Sequence, residues 1–356
     1  MPPTTVVDKL TITFLVDNCI EWMSKLPPGF VHELPQHVQL YPEADEVTGV
    51  PVVDLDHFCC GAHGFAALIE TAVEGEGSHY TLFDVGPDSQ SLVRNVSAMK
   101  IPVDKIERII LSHWHRDHTG GLLSFLNLRQ TAQSKCIVDL HPDRPLARGI
   151  APGPTFDKVV CALPSDPSVE HIEEAGGTVE QSSEGHAVAG NTVWVSGEIP
   201  RVTSFETGMM GGMRWYDEPG KRGSWLKEQH IMDERYAAID VAGKGLVIFS
   251  ACSHAGIVNV IKDAIAVFSR PIYMIIGGLH LAGPEFAPRI PPTVEFLSRQ
   301  LRPSPTYILP MHCSGFQSKL ALEAAFGEGC VPAGVGLKVN VVGDRGQDER
   351  IFPPLY

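Results

Sequence analysis

The stretch that decides the fold is residues 109–121, with the sequence IILSHWHRDHTGG. It begins as an apolar strand and ends in residues that can bind metal ions. Because alternate side chains at a strand end point to the same side, His113 and His115 can bind one ion together. Asp117 and His118 follow where the chain turns and can face a second ion. The close spacing and the apolar strand favour a metal centre over the alternative, a cluster of surface histidines.

The ligand types in this run indicate which metal it binds. Imidazole and carboxylate groups suit zinc, and they also suit iron and manganese. We therefore expect two zinc ions, with iron or manganese as the alternatives. Gly120 and Gly121 come directly after the run, where a missing side chain lets the backbone pass close to the site and begin a helix.

Other segments must contribute ligands, because the run alone cannot complete the shells of two ions. Two strand ends carry suitable residues, FSACSHAG at 249–256 and ILPMHCSG at 308–315. We predict that His254 and His312 bind metal from these positions. Cys252 is either a thiolate ligand or a small buried residue, and we favour the second interpretation.

The run H-x-H-x-D-H resembles the signature of the metallo-β-lactamase superfamily, and the likeness extends from about Leu10 to Gly336. This resemblance implies an α/β fold, the αββα sandwich, in a single domain over residues 1–356. It also implies a centre that usually holds two metal ions. Alternating strands and helices along the chain are in keeping with such a sandwich.

Two departures from the superfamily pattern stand out. Most members carry an aspartate as a bridging ligand at the first of the two strand ends, where this chain has Cys252. The superfamily also places an intermediate histidine in a Gly-rich turn. His186, in the turn EGH, is the candidate for that role, and the alternative that we favour is an exposed loop histidine.

Three further residues are candidates near the site. His280, in IIGGLHL at 275–281, either acts on the substrate as an acid or base or is a structural histidine bonded to a loop carbonyl. His63 and Asp84 are expected to be structural or to support the ligands from outside. A ligand histidine usually donates its other N–H to a neighbouring acceptor, which is the role such groups fill.

Strands and helices alternate along most of the chain. Runs rich in β-branched and apolar residues predict strands at 10–16, 65–71, 80–84, 108–111, 136–140, 192–196, 245–250, 272–276 and 306–309. Apolar residues at helical spacing predict helices at 92–99, 122–131, 255–268 and 294–302. Two long segments, 27–56 and 207–225, are expected to be surface or lid insertions that line or cover a pocket.

Composition and charge limit the function further. The chain has 356 residues, of which 44% are hydrophobic and 20% charged, and a formal net charge of −14. An acidic protein without clustered Lys and Arg is poorly suited to nucleic acid. No stretch approaches the roughly 20 apolar residues of a membrane span. Eight scattered cysteines, with no recognisable signal peptide, favour reduced thiols and a cytoplasmic protein.

Three short segments narrow the resemblance. They are CSHAGIVN at 252–259, GGLHL at 277–281 and MHCSG at 311–315, and they resemble the dihydropterin–ribofuranosylaminobenzene phosphate synthase-like branch. Filamentous-fungal members of this branch include lactam-opening enzymes that act on benzoxazolinone-type plant compounds, and the chain is similar to them overall. The resemblance therefore implies a lactamase or lactonase with a small-molecule substrate and a role in detoxification.

The mechanism expected from these residues is hydrolysis. A metal lowers the pKa of a bound water from about 15.7 toward 7, so that hydroxide forms at neutral pH. The hydroxide would attack the carbonyl of a cyclic amide or ester. Asp117 would orient the water and pass its proton to the leaving atom, and His280 is the second catalytic candidate.

Three other functions stay open. The first is a phosphodiesterase or nuclease on the same fold, although the acidic charge disfavours nucleic acid. The second is a pterin-phosphate synthase-like enzyme, which needs a phosphate pocket that Arg201, Arg214 or Lys221 could supply. The third is a metal-dependent oxygenase or a non-catalytic binding protein.

Overall fold

The computed structural model describes residues 3–130, 135–217 and 223–356. Its strands, numbered in chain order, are β1 (Lys9–Val16), β2 (Phe30–Val31), β3 (Ala66–Ala72), β4 (His79–Phe83), β5 (Ile106–Ile110), β6 (Cys136–Leu140), β7 (Arg148–Ile150), β8 (Cys161–Ala162), β9 (Gly177–Gln181), β10 (His186–Val188), β11 (Val193–Val195), β12 (Gly212–Tyr216), β13 (Ser224–Lys227), β14 (Ala237–Val241), β15 (Gly245–Ser250), β16 (Ile272–Gly278), β17 (Tyr307–Met311) and β18 (Lys338–Val342).

The helices are mostly short and lie between these strands. They are α1 (Glu33–Leu40), α2 (Ser91–Ala98), α3 (Arg116–Thr119), α4 (Leu122–Leu128), α5 (Val169–Glu174), α6 (Ile257–Phe268), α7 (Ile290–Glu295), α8 (Phe316–Phe326) and α9 (Arg345–Asp348). A π-helical turn, Phe296–Gln300, continues α7. No helix in the described ranges combines the length and apolar character needed to cross a bilayer.

Three sheets organise the strands of the described residues. The first has the order β2-β18-β1-β3-β4-β5-β6-β9, the second β10-β11-β14-β15-β16-β17, and a small third sheet β13-β12-β7-β8. Strands β4, β5, β6 and β9 run parallel to one another, as do β15, β16 and β17. The carboxyl ends of parallel strands lie at a common edge, so the loops that follow them are brought together.

The two large sheets face each other, and helices cover their outer faces. Between the sheets the ring centroids of Phe83 and Phe249 lie 5.9 Å apart in one continuous core. Helices α2, α4 and α5 bury residues such as Phe125 on the first sheet, and α6, α7 and α8 bury residues such as Ile261 on the second. Each such buried side chain contributes about 1.5–3 kcal/mol. The layers make the αββα sandwich, which confirms the expected fold class.

Two strand predictions are confirmed residue for residue. The predicted strands at 136–140 and 245–250 are β6 and β15. Every residue of β15 is buried, because helices and the opposite sheet cover both of its faces. Such a strand has a continuous apolar sequence, and this is why composition alone located it.

The predicted helix bounds need corrections. Helix α6 begins at Ile257 rather than at 255, because Gly256 has a φ of 97°, which a helix does not permit. Helix α7 begins at Ile290 rather than at 294, since prolines are favourable in the first turn of a helix. Helix α4 ends at Leu128, and residue 131 of the predicted helix lies outside the described residues.

Candidate metal centre

The candidate ligands lie in loops at the carboxyl ends of strands. The run 113–118 follows β5, Cys252 and His254 follow β15, and His312 follows β17. Because the two sheets face each other, loops from both converge at one end of the sandwich. Ligand sites of open α/β sheets commonly form outside the carboxyl ends of their strands.

Three imidazoles converge in the first group. The Nε2 atom of His113 lies 2.9 Å from Nδ1 of His115 and 3.2 Å from Nε2 of His254. All three side chains are buried. His254 is therefore positioned as the third histidine around one ion, a role for which His186 in its Gly-rich turn had been the candidate.

The second group consists of Asp117, His118, Cys252 and His312. Oδ2 of Asp117 lies 3.3 Å from Nε2 of His312 and 3.5 Å from Nε2 of His118. The Cys252 sulfur lies 3.2 Å from the same His118 nitrogen. It also lies within 4.8 Å of ligand nitrogens of the first group, so it stands between the two groups.

The donor set fits two metal ions. Around a tetrahedral zinc ion with bonds of about 2.0–2.3 Å, neighbouring ligand atoms lie roughly 3.3–3.7 Å apart. The separations in both groups, from 2.9 to 3.5 Å, are close to that spacing. Imidazole, carboxylate and thiolate suit zinc and other transition metals, whereas magnesium and calcium prefer oxygen ligands alone.

Asp84 fixes the ring orientation of two candidate ligands. Its Oδ2 atom accepts a hydrogen bond of 2.7 Å from Nδ1–H of His118 and another from the Ser112 hydroxyl. That hydroxyl oxygen in turn accepts a hydrogen bond of 2.9 Å from Nδ1–H of His113. In both rings Nε2 is left facing the group, the position from which it would bind a metal ion in place of a proton.

Asn18 supports the other end of the site. Its Oδ1 accepts from Nδ1–H of His312, and its amide donates to Nδ1 of His63, both over 3.0 Å. Asp17 accepts from the backbone N–H of His312 over 2.8 Å. The remaining nitrogen of His63 lies 3.7 Å from Oδ2 of Asp117, and its side chain is 69% exposed, so His63 stands at the rim.

Burial keeps the imidazoles of the first group neutral. It holds the pKa of His113, His115 and His254 well below the usual value, and nearby histidines and Arg148 add to the effect. A neutral imidazole has a free lone pair at one nitrogen, which is the form that binds metal.

Asp117 and His118 show the opposite behaviour. Burial opposes ionisation of both, but their mutual attraction outweighs it, with Asp84 assisting at His118. The pKa of Asp117 is consequently held well below its usual range and that of His118 well above. Asp117 therefore stays a carboxylate across the physiological pH range.

A second thiol and His280 adjoin Cys252. The sulfur atoms of Cys252 and Cys313 lie 3.5 Å apart, and His280 is within the same ligand range. Burial and Cys313 raise the pKa of Cys252, so its thiolate needs a nearby cation. Burial lowers the pKa of His280, but Cys313 and Glu234 reverse this and raise it. The sulfur position argues for Cys252 as a ligand, contrary to the interpretation that the sequence favoured.

The two glycines after the ligand run are needed for close backbone contact. A Cβ atom at Gly120 would lie 1.8 Å from the carbonyl oxygen of Pro87, and one at Gly121 would lie 2.2 Å from that of Val85. Real Cβ atoms do not approach so closely. The turn that carries the run can therefore pack against the loop after β4 only without these side chains.

Two adjacent acidic residues, Asp233 and Glu234, support both ligand loops. Neither was predicted from the sequence to contribute to the site. Asp233 accepts from the backbone N–H of Trp114, and Glu234 accepts from those of His254 and Ala255, each over 2.7 Å. Burial raises the pKa of Glu234 to about 7. No sequence pattern marks a carboxylate that accepts backbone N–H groups, so only the fold shows it.

A cavity of about 620 Å³ opens above the two groups. Its lining includes Asp117, His280 and Arg116 together with many apolar side chains. The apolar part comprises Pro87, Ile150, Leu163, Pro164, Met209, Met210, Met213 and Phe286. A cavity with apolar walls and a few polar groups at one end suits a small organic molecule.

The two predicted insertions differ in their relation to this cavity. In segment 207–225 the residues Met209 to Met213 line it, and 218–222 lie outside the described residues. Segment 27–56 contains β2 and α1 and supplies none of the residues that line this cavity; residues 41–56 of the segment line a separate pocket instead. Strand β2 pairs with β18 at the far edge of the first sheet, which keeps the segment away from the centre.

His186 lies outside both ligand groups. Its Nε2–H donates to Asp139 and its Nδ1–H to the carbonyl of Glu184, over 2.8 and 2.9 Å. Both ring nitrogens are therefore engaged as donors, and the hydrogen bond to Asp139 raises the pKa of His186. His186 is therefore not the intermediate metal ligand that its glycine turn suggested. It is a structural histidine at the start of β10.

The residues considered for a phosphate pocket are engaged elsewhere. Arg214 donates to both oxygens of Asp143, and Arg201 contacts the carbonyls of Ile199 and Ile231. Neither lines the cavity. Lys221 lies outside the described residues.

Sequence comparisons place the chain among known proteins. A family model described as the metallo-beta-lactamase superfamily matches residues 63–221. The 7,8-dihydropterin-6-methyl-4-(beta-D-ribofuranosyl)-aminobenzene-5'-phosphate synthase of Methanocaldococcus jannaschii is 30% identical over 270 residues, 75% of this chain and 85% of that protein. An uncharacterized protein of the same archaeon is 27% identical over 268 residues, 73% of this chain and 87% of that protein.

A solved structure supports the same fold. A metal-dependent hydrolase of the beta-lactamase superfamily superimposes with a TM-score of 0.63 at 19% identity. The match covers 94% of this chain and 99% of that one. With the ligand run in its place and the relatives matched over most of their length, the chain belongs to the metallo-β-lactamase superfamily.

Proposed function

We propose that this protein is a metal-dependent hydrolase that opens a small cyclic amide or ester, with benzoxazolinone-type lactams as the leading substrate class. The observation that carries the proposal is the position of the two ligand groups beneath a largely apolar cavity of about 620 Å³. A flat aromatic lactam would contact the apolar walls and bring its carbonyl toward the ligand groups.

The proposed centre holds two ions, with zinc as the proposed metal and iron or manganese as alternatives. The proposed ligands are His113, His115 and His254 for one ion and Asp117, His118, Cys252 and His312 for the other. When bound, the ions supply Lewis-acid polarisation and a nucleophilic water at neutral pH.

Two side chains would handle protons during the reaction. Asp117 is a carboxylate that lines the cavity, so the oxygen that does not face the ligand group would orient the attacking water and pass its proton to the leaving atom. His280 also lines the cavity, and its raised pKa suits donation of a proton to the leaving nitrogen or oxygen. Both assignments rest on the position of these side chains beside the ligand groups.

A second candidate function follows from the 30% identical relative, which is a pterin-phosphate synthase. An enzyme of that kind would need a cation to hold a phosphate group. Arg116 lines the cavity, and among the described residues its guanidinium makes one hydrogen bond, from Nη1 to the backbone carbonyl of Ser165. The position of this arginine in the cavity is the observation that supports a pterin-phosphate synthase as the second candidate function.

We also propose a small-molecule substrate, a cytoplasmic location and no partner among nucleic acids or membranes. The support is the net charge of −14 and the absence of disulfides among the eight cysteines, all of which lie in the described residues. Free thiols are typical of a reducing compartment.

The experiment is a turnover assay on four substrates, with and without a metal chelator. They are a benzoxazolinone, a β-lactam, an aromatic lactone and a phosphodiester, each followed by absorbance. We expect the benzoxazolinone or the lactone to be opened and the chelator to abolish the reaction.

The outcomes separate the candidate functions. Phosphodiester cleavage without lactam or lactone opening would replace the proposal with a phosphoesterase. No turnover of any substrate, by protein shown to contain metal, would contradict the hydrolase proposal for these bond types. Turnover that persists in chelator would exclude the metal centre as the catalyst.

A further inference from the structure

We infer that three consecutive residues, Asp233, Glu234 and Arg235, form a brace that positions the two main ligand loops against each other. They lie just before β14 and are 0%, 3% and 1% exposed. Each of them makes at least one hydrogen bond to the backbone of a ligand loop, so they are positioning residues and not ligands. The inference concerns metal binding and does not require the proposed hydrolase activity.

Asp233 and Arg235 hold the loop that follows β5. The Oδ2 atom of Asp233 accepts a hydrogen bond of 2.7 Å from the N–H of Trp114, which stands between two proposed ligands. The N–H of Arg235 donates to the carbonyl of Ser112 over 2.8 Å, and its guanidinium donates to that of Leu111 over 2.7 Å. The loop is thus fixed at three places before and within the ligand run.

Glu234 holds the loop that follows β15. Its two carboxylate oxygens accept from the N–H groups of His254 and Ala255, each over 2.7 Å. This pair of bonds fixes the backbone directly at a proposed ligand. Because Glu234 lies between Asp233 and Arg235, one stretch of backbone ties both loops together.

The distance between the loops sets the geometry of the first ligand group. Nε2 of His113 comes from the loop after β5 and Nε2 of His254 from the loop after β15, and they lie 3.2 Å apart. A metal ion tolerates only small changes in such a distance. Supporting residues around metal ligands typically change metal affinity about 10- to 100-fold when substituted.

The first test compares Glu234→Gln with Glu206→Gln. A glutamine retains one acceptor oxygen, and its NH₂ group would face a backbone N–H. Glu206 is a matched control, since it is 4% exposed and also accepts from two backbone N–H groups, those of Val258 and Asn259, over 2.9 Å. Those groups belong to the first turn of α6 and not to a ligand loop.

We expect Glu234→Gln to weaken zinc binding about 10- to 100-fold in competition with a chromophoric chelator. In cobalt-substituted protein, the ligand-field absorption bands should shift. Glu206→Gln should lose comparable thermal stability while keeping wild-type zinc affinity and cobalt bands. Equal zinc affinity for the wild type and Glu234→Gln would overturn the inference, as would equal weakening by the control.

A second pair keeps the inference testable should Glu234→Gln fail to fold. Asp233 and Glu228 both pair with the buried guanidinium of Arg148, but only Asp233 also accepts from the ligand loop. Asp233→Asn should weaken zinc binding, whereas Glu228→Gln should destabilise the fold without changing zinc affinity. The same zinc affinity in these two variants would contradict the brace.

These measurements are independent of the substrate. Wild-type protein that binds zinc tightly but opens no lactam or lactone would contradict the hydrolase proposal and leave the brace intact. Wild-type protein that opens the lactam while Glu234→Gln binds zinc normally would contradict the brace alone.

Discussion

Cys252 occupies the point where the two ligand groups meet. Its sulfur lies within 4.8 Å of the donor atoms of His113 and His254 in the first group and of all the other members of the second, and burial raises the pKa of its thiol. A buried thiol has little reason to ionise unless a cation offsets the loss of solvation. We therefore expect the Cys252 sulfur to be ionised only when metal is bound.

Substituting this sulfur should change both metal content and spectrum. We expect Cys252→Ser to bind fewer metal ions per chain than the wild type and to lack sulfur-to-cobalt charge-transfer absorption in cobalt-substituted protein. Cys313→Ser removes the neighbouring thiol and should keep the absorption. Metal content would be measured by mass spectrometry, and loss of the band only in the Cys313 variant would assign the ligand to the other sulfur.

Asp117 should be required for turnover. Asp117→Asn retains shape but removes the carboxylate that would hold a proton, so kcat should fall by at least about 100-fold on the best substrate of the panel. Asp88→Asn is the control, because Asp88 accepts from the N–H groups of Gln90 and Ser91 and from the Ser91 hydroxyl at the start of α2, and it does not line the cavity. Substantial turnover in Asp117→Asn, or an equal loss in the control, would defeat the catalytic assignment.

The acid stability of the fold should depend on Asp139. Burial raises its pKa, but His186 and Arg235 outweigh burial and lower it from 3.8 to about 2. A lowered pKa stabilises the folded state above pH 3.8, and this stabilisation is lost as the pH falls through 2. It amounts to about 2 kcal/mol between pH 6 and pH 2.

Urea unfolding in the presence of chelator measures this effect without a contribution from metal. The free energy of unfolding of the wild type should fall more steeply between pH 6 and pH 2 than that of Asp139→Asn. Parallel pH profiles for the two proteins would show that the Asp139 carboxylate does not titrate in this way.

At the residue scale, spacing predicted some candidate site residues and not others. His254 and His312 could be proposed because each follows an apolar strand at a polar turn. Glu234 could not be proposed, since acceptance of two backbone N–H groups leaves no spacing pattern. His186 shows the opposite error. Its place in a glycine turn fits the sequence pattern of a metal ligand, but in the fold its Nε2 atom is bonded to Asp139.

Among the elements, the small third sheet and the loop that precedes β12 form one wall of the cavity. Met209 and Met210 lie in this loop, and Met213 lies on β12. Methionine side chains adapt their shape to apolar ligands because they are unbranched and flexible. The wall should therefore contribute to substrate binding more than to the reaction itself.

We expect Met209→Ala combined with Met213→Ala to raise KM several-fold while changing kcat little. The reason is that both side chains line the cavity without belonging to a ligand group. Met232→Ala is the control, because Met232 is 38% exposed and does not line the cavity. A fall in kcat without a change in KM would assign these residues to another role.

The elements differ in how well their sequences predict them. Strands buried on both faces, such as β15, are marked by continuous apolar residues. Strands β7, β8 and β13 have only two to four residues each, and β8 and β13 are largely exposed, so their sequences resemble those of loops. These strands form because they pair with distant segments of the chain, so their local composition does not predict them.

For the whole molecule, proposed ligands from both sheets imply that metal stabilises the fold. An ion present at a thousand times its dissociation constant adds about 4 kcal/mol to the free energy of unfolding. We expect chelator to lower the melting temperature by several degrees in a fluorescence melting scan. His113→Ala should respond less to chelator, and an identical response in the wild type and this variant would contradict a metal bridge between the sheets.

The spread of the proposed ligands along the chain has a consequence for biosynthesis. His254 contacts His113 across 141 residues, and His312 contacts Asn18 across 294. Chains emerge from the ribosome amino end first, so the run at 113–118 is exposed well before its partners have been made. With the proposed ligand set, metal acquired at that stage would be held by an incomplete set of ligands. Loading of the proposed centre would therefore be completed only after His312, which follows β17, has been made.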